Sequence, residues 1–141
     1  MNKAKELATL HHEGQTDKVG KPYILHPLRL MEAVNSTNEK IVAVLHDIVE
    51  DTDVSFDDLQ TEGFNETVIE AIKCVTKIDG ENYEDFIERI SHNKLATTVK
   101  LADLEDNMDL SRLPKVTDSD LERVEKYKRA KKYLLGNRLG Y

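Results

Sequence analysis

Apolar residues recur at helical spacing through most of this 141-residue chain, and no segment alternates cleanly over the length of a strand. Six glycines and three prolines leave few places where that pattern can break. Residues 2–13 place Ala4, Leu7, Ala8 and His11 on one face, and Gly14 stops them. A second helix starts near Pro27, a residue suited to a first turn. The run IVAVLHDIV within 39–50 is apolar nearly all round, as in a buried central helix. A buried strand is the competing reading of so short a run. Ser55 with Asp58 caps 56–61, Asn65 caps 66–76, and Asn82 caps 83–92. Residues 94–110 follow. A last helix, starting at Thr117 or Asp118 and running to about Leu135, turns Leu121, Val124, Tyr127 and Leu134 inward. The expectation is an all-α bundle of seven or eight helices, a single domain over 1–141.

Charge and cysteine usage remove whole classes of function. The formal net charge of −7 argues against a general nucleic-acid or anionic-membrane binder. One cysteine, Cys74, permits neither an internal disulfide nor a cysteine-based zinc site. No apolar run is long enough to cross a membrane, and the N-terminus lacks the apolar core of a signal peptide. A cytoplasmic protein is expected. Homo-oligomerisation stays open.

Three stretches carry chemistry: PYILHP at 22–27, LHDIVEDTD at 45–53 and KLADLEDNMD at 100–109. His46 and Asp47 interrupt an apolar run, where an acid is expensive unless paired or bound to a cation. Four acids crowd into 47–53. A solvated acidic helix end and a core histidine would also explain these residues. Asp103 is in phase with Val99 and Asn107, so a second acid follows a core face. His26 lies in a third apolar segment. His26, His46, Asp47 and Asp103 together offer two imidazoles and two carboxylates. That donor set suits Mn²⁺, Fe²⁺ or Zn²⁺, with positions left for water.

At these residues the sequence resembles the HD-domain metal-dependent phosphohydrolases, and most closely the hydrolase domain of the RelA/SpoT-type alarmone enzymes and their small stand-alone relatives. HEGQTDKVGKPYILHP at 12–27, AVLHDIVEDT at 43–52 and VKLADLEDNMDL at 99–110 carry the resemblance, within 12–110. It implies an HD-domain bundle in which His26, His46, Asp47 and Asp103 bind a divalent metal, most simply Mn²⁺. It implies that Glu50 and Asp51 activate or orient the attacking water. It sets Lys18, Tyr23 and Asn107 near substrate. The implied activity is hydrolysis of a nucleotide, foremost a guanosine tetraphosphate-type 3′-pyrophosphohydrolase. The alternatives are a nucleotidase or NADPH phosphatase-like enzyme with a less basic pocket, and a non-catalytic metal- or nucleotide-binding module.

The chain departs from the family pattern at charged positions. An early-loop arginine is Asp17 here. The family's third motif often reads KLADRLHNMR, and its two arginines are Leu104 and Asp109 here. Fewer fixed positive charges near the pocket are therefore expected. Residues 1–111 hold 11 basic against 23 acidic residues, whereas 112–141 hold 9 against 4. The C-terminal basic residues, including Lys126, Lys128, Arg129, Lys131 and Lys132, read as a solvated face.

Overall fold

In a computed structural model of the protein, residues 2–138 are described. They form eight helices of six residues or more and one four-residue turn of helix. The helices are α1 (Asn2–His11), α2 (Leu25–Ala33), α3 (Thr37–Leu45), the turn α4 (Ile48–Asp51), α5 (Phe56–Thr61), α6 (Glu66–Val75), α7 (Tyr83–Ser91), α8 (Lys94–Met108) and α9 (Asp118–Arg138). A 3₁₀ turn, Leu110–Arg112, joins α8 to the approach of α9. No strand occurs among the described residues; Thr16 and Pro22 form one isolated bridge.

The caps explain the boundaries. Ser55 and Asp58 form a reciprocal capping box at α5, and Asn65 and Asn82 accept the N3 amides of α6 and α7. Ser36 and Glu39 form a second box, so α3 starts earlier than the apolar run suggests. Thr117 and Asp120 exchange the same pair of bonds at the start of α9.

Helix α3 is the centre of the bundle. Val42, Ala43, Val44 and Leu45 are fully buried, and α1, α2, α6 and α8 pack around the helix. A helix apolar all round has to be enclosed in this way. The apolar run is helical, as expected, but it is not continuous. It breaks at Asp47, whose backbone leaves the helical region (φ −108°, ψ 5°), and resumes as α4. The break swings Asp47, Glu50 and Asp51 out of the core toward the surface. In α9, Leu134 is buried, but Leu121 is 50% exposed, contrary to its expected inward face. Lys126 lies over the Tyr83 ring at 4.4 Å, so one member of the basic face packs rather than floats.

The C-terminus of α6 is closed by a side chain from α7. Arg89 donates to the carbonyls of Lys73, Cys74 and Thr76 and makes a two-point bond to the Glu81 carboxylate at 2.9 and 3.0 Å. These are charge-assisted bonds to carbonyls at the helix's C-terminal end. Arg89→Ala is expected to destabilise the fold by roughly 1.5–3 kcal/mol. Urea melts of the variant against the parent check this, and an unchanged midpoint would refute it.

Candidate active site

Three helices deliver one cluster. His26 enters from the first turn of α2, His46 follows the end of α3, and Asp103 projects from α8. The ligand atoms of these three residues all lie within 4.8 Å of one another, and all three side chains are buried. Asp103 Oδ1 is 2.8 Å from His26 Nε2 and 3.5 Å from His46 Nε2. The fourth expected residue, Asp47, sits at the edge, with Oδ2 3.1 Å from His46 Nε2. Helical spacing sets α8's contribution: Val99 and Leu104 fill the core while Lys100, Asp103 and Asn107 face the site.

Within the cluster, one nitrogen has no hydrogen-bond partner. His46 Nδ1 lies 2.7 Å from the Ala43 carbonyl, which can only accept, so Nδ1 carries the proton. Without an ion, burial opposes a charge on the ring, but Asp47 and Asp103 outweigh it and raise the ring's pKa, which favours a proton on Nε2; a bound cation would take that proton's place on the lone pair. That nitrogen is buried and has no hydrogen-bond partner of usable geometry, although two carboxylates lie nearby. A buried lone pair facing carboxylates is the environment a divalent cation completes. Two imidazoles and one or two carboxylates are a fitting donor set.

Neighbouring cations hold the acids ionised. Burial alone would push Asp103 up, but Lys100 Nζ at 3.0 Å and the two histidines outweigh it and hold its carboxyl well below the usual range. Burial likewise opposes, and His46 overcomes, so that Asp47 is lowered to about 2. The Tyr23 hydroxyl also donates to Asp47 Oδ2. Tyr23 therefore lines the cleft and orients Asp47 at once.

Glu50 and Asp51 flank the cluster on opposite sides. Asp51 lines a cleft of about 430 Å³ together with Lys18, Tyr23 and Asn107. Glu50 lines a recess of about 60 Å³ beside His46, Asp47, Lys100 and Asp103. Both carboxyls are raised, first by desolvation and then by the charge of Asp47. Their folded-state pKa values exceed the unfolded ones, so ionising them opposes folding. Stability from these groups is present at low pH and is lost as pH rises through the folded values. Glu50→Gln is therefore expected to raise the melting temperature of chelator-treated protein at pH 7, with the gain disappearing near pH 4. A gain that instead grew toward pH 4 would contradict the sign.

The loop between α1 and α2 is built to reach this cleft. Asp17 Oδ1 accepts from the amides of Val19 and Lys21 at 2.9 and 3.0 Å and closes the turn. Gly20, at φ +82°, supplies the left-handed step. Gln15 donates to the Asp51 carbonyl at 2.9 Å and accepts from buried His12, which ties the loop to α4. Lys18 is thereby held at the cleft edge, 3.9 Å from Asp120. Asn107 donates to Asp103 Oδ1 at 3.1 Å, so it braces the cluster as well as lining the cleft.

The expected loss of positive charge is corrected in part. Leu104 is fully buried, so its replacement of arginine does not touch the cleft. Arg29, Arg112 and Arg123 line the cleft beside Lys18 and supply cations from positions that the motifs do not cover. Each is met by a carboxylate: Arg29 by Asp106, Arg112 by Asp109, and Arg123 by Asp120. The motif reading also missed Asp106. It follows Asp103 by three residues, and Arg29 follows His26 by three, so helical spacing alone could have flagged both.

No family model matches the chain. Curated relatives do. The chain is 34% identical, over 77% of its length, to a guanosine-3′,5′-bis(diphosphate) 3′-pyrophosphohydrolase of Aquifex aeolicus, covering 17% of that protein. It is 32% identical, over 69% of its length, to the bifunctional (p)ppGpp synthase/hydrolase SpoT of Escherichia coli K12, covering 16% of it. It is 30% identical, over 99% of its length, to a GTP pyrophosphokinase of Streptomyces coelicolor, covering 18%. The chain thus spans less than a fifth of the length of these relatives. Among solved structures, a metazoan ortholog of SpoT, which hydrolyzes ppGpp and plays a role in starvation responses, superposes with a TM-score of 0.75 at 26% identity. That alignment covers 99% of this chain and 85% of the other.

Proposed function

We infer that this chain, which belongs to the RelA/SpoT-type HD-domain hydrolases, is a metal-dependent phosphohydrolase of a guanosine 3′-diphosphate nucleotide. The observation that carries the reading is the unpartnered, buried Nε2 of His46 among the carboxylates of Asp47 and Asp103 and beside His26. In this reading His26, His46, Asp47 and Asp103 hold the ion, with Mn²⁺ the first choice and Fe²⁺ or Zn²⁺ the alternatives. The bound ion would supply Lewis-acid polarisation of a phosphoryl oxygen and a more acidic water.

The chain's own residues do the rest. Glu50 or Asp51 takes a proton from the attacking water, and their raised pKa values suit proton transfer closer to neutral pH. The water oxygen bonds to the phosphorus next to the ribose 3′ oxygen, that P–O bond breaks, and the 3′ oxygen leaves with a proton. Pyrophosphate and a nucleoside 5′-diphosphate result. Lys18 and the rim arginines hold phosphate oxygens. Tyr23 keeps Asp47 in place through its hydroxyl bond. Asn107 fixes Asp103. A nucleotide substrate fits a reaction in the cytoplasm.

One observation favours a second substrate class. Each rim arginine already has a carboxylate partner, which suits a less anionic substrate such as a nucleoside monophosphate or NADPH. Purified protein with Mn²⁺, assayed against guanosine tetraphosphate, NADPH and nucleoside monophosphates, separates the two. Release of pyrophosphate from guanosine tetraphosphate at the highest kcat/KM is expected. Release of only orthophosphate from the others would favour the second class. Bound metal without turnover on any substrate would leave a binding module.

A further inference from the structure

We propose that Asp106 is a positioning residue for His26, fixing the ring so that Nε2 faces the metal. The inference rests on the reading of the cluster as a metal site and extends it to a residue that no motif assigns. Asp106 Oδ2 lies 2.6 Å from His26 Nδ1, on the side of the ring opposite Asp103. Asp106 can only accept, so Nδ1 donates to it; Nε2 faces Asp103, itself one of the proposed ligands, across 2.8 Å, and is the nitrogen whose place a bound ion would bridge. The acceptor is itself held firmly. Arg29 grips both oxygens of Asp106, Nε to Oδ1 at 2.8 Å and Nη2 to Oδ2 at 3.0 Å. Arg112 Nη2 donates to the Asp106 backbone carbonyl at 2.9 Å. His26 and Arg29 lie three residues apart on α2, and Asp103 and Asp106 three apart on α8. Two helices thus meet through two stacked contacts, one at the metal cluster and one behind it.

The arrangement has a physical consequence for affinity. A histidine ligand whose far nitrogen donates to a fixed carboxylate is both oriented and more basic toward the ion. His46 reaches the same end differently, with the Ala43 carbonyl as its acceptor. The two imidazoles are therefore set by unlike partners, one charged and one neutral.

Mn²⁺ titration of the chelator-treated full chain without substrate, read by electron paramagnetic resonance of the free ion, tests the proposal. Asp106→Ala should bind Mn²⁺ roughly 10–100-fold more weakly than the parent. Asp106→Asn keeps an acceptor for the Nδ1 proton and should recover most of the affinity. Arg29→Ala leaves that acceptor but frees it, and should lose clearly less affinity than Asp106→Ala. Parent-like affinity in Asp106→Ala overturns the proposal, as does an equal loss in Arg29→Ala, which would mark a collapsed wall. Should the alanine variant not fold, the parent itself decides. With Zn²⁺ bound, ¹⁵N-resolved imidazole spectra should show His26 protonated at Nδ1, and protonation at Nε2 overturns it. A parent that binds neither ion sinks the metal reading, and this inference with it, which is a different result from a parent that binds and a variant that binds equally well.

Discussion

Asp47→Ala yields a folded protein that turns over no nucleotide. The carboxylate lies 3.1 Å from His46 Nε2 and takes the Tyr23 hydroxyl, so its removal takes away one proposed ligand and frees another group. The loss expected in kcat/KM is at least about 10³-fold, equivalent to ~4 kcal/mol of barrier. Stability should fall far less than activity. Against its burial, His46 lowers the Asp47 carboxyl to about 2, so its charge stabilises the metal-free fold at neutral pH, and repulsion from Asp103 offsets part of that. A melting temperature modestly below the parent's, with Mn²⁺ binding weakened, is the expected pair of results. Turnover equal to the parent's would remove Asp47 from the mechanism. An unfolded variant would mean that the residue is structural.

Leu45→Ala should have the largest effect on stability, about 2–5 kcal/mol. Leu45 is fully buried and ends α3, the helix that four others enclose. The cavity would open directly beneath His46. Loss of a few kcal/mol matters when a whole domain is held by about 5–15 kcal/mol. Denaturant melts measure it. A cost below about 1 kcal/mol would show that the neighbours close over the gap, and that the packing around α3 is looser than described.

Helical spacing and capping signals made most of the architecture legible in the sequence. Ser55–Asp58, Asn65 and Asn82 mark real helix starts because a side-chain acceptor two or three residues ahead of free amides is a local arrangement. The break at Asp47 was not legible. Periodicity sees one apolar run, while the turn depends on a side chain choosing a backbone carbonyl and on a surface for α4 to reach. The cluster was legible as types of residue, since buried acids and imidazoles are rare enough to demand partners. The partners themselves were not. Lys100 meets Asp103 one turn along α8, and Arg29, Asp106 and Arg112 come together only where α2 and the 3₁₀ turn meet α8. Leu104 shows the converse error. A position judged by motif alignment as part of the pocket points into the core, because a helix has two faces and a motif string has one.

The hydrogen bond between His26 and Asp103 joins residues 77 apart in the chain. Drawing such distant ends together costs only slightly more than joining near ones, about 0.6 kcal/mol for each doubling of length. The long separation is therefore thermodynamically cheap, but it changes when the site can exist. No stretch of the chain that lacks α8 contains the cluster, whatever helices it has already formed. A growing or clipped chain that stops before α8 holds His26, His46 and Asp47 but lacks Asp103. The proposed hydrolysis would thus begin only once α8 has docked, and no piece of the chain that stops short of it would carry the site.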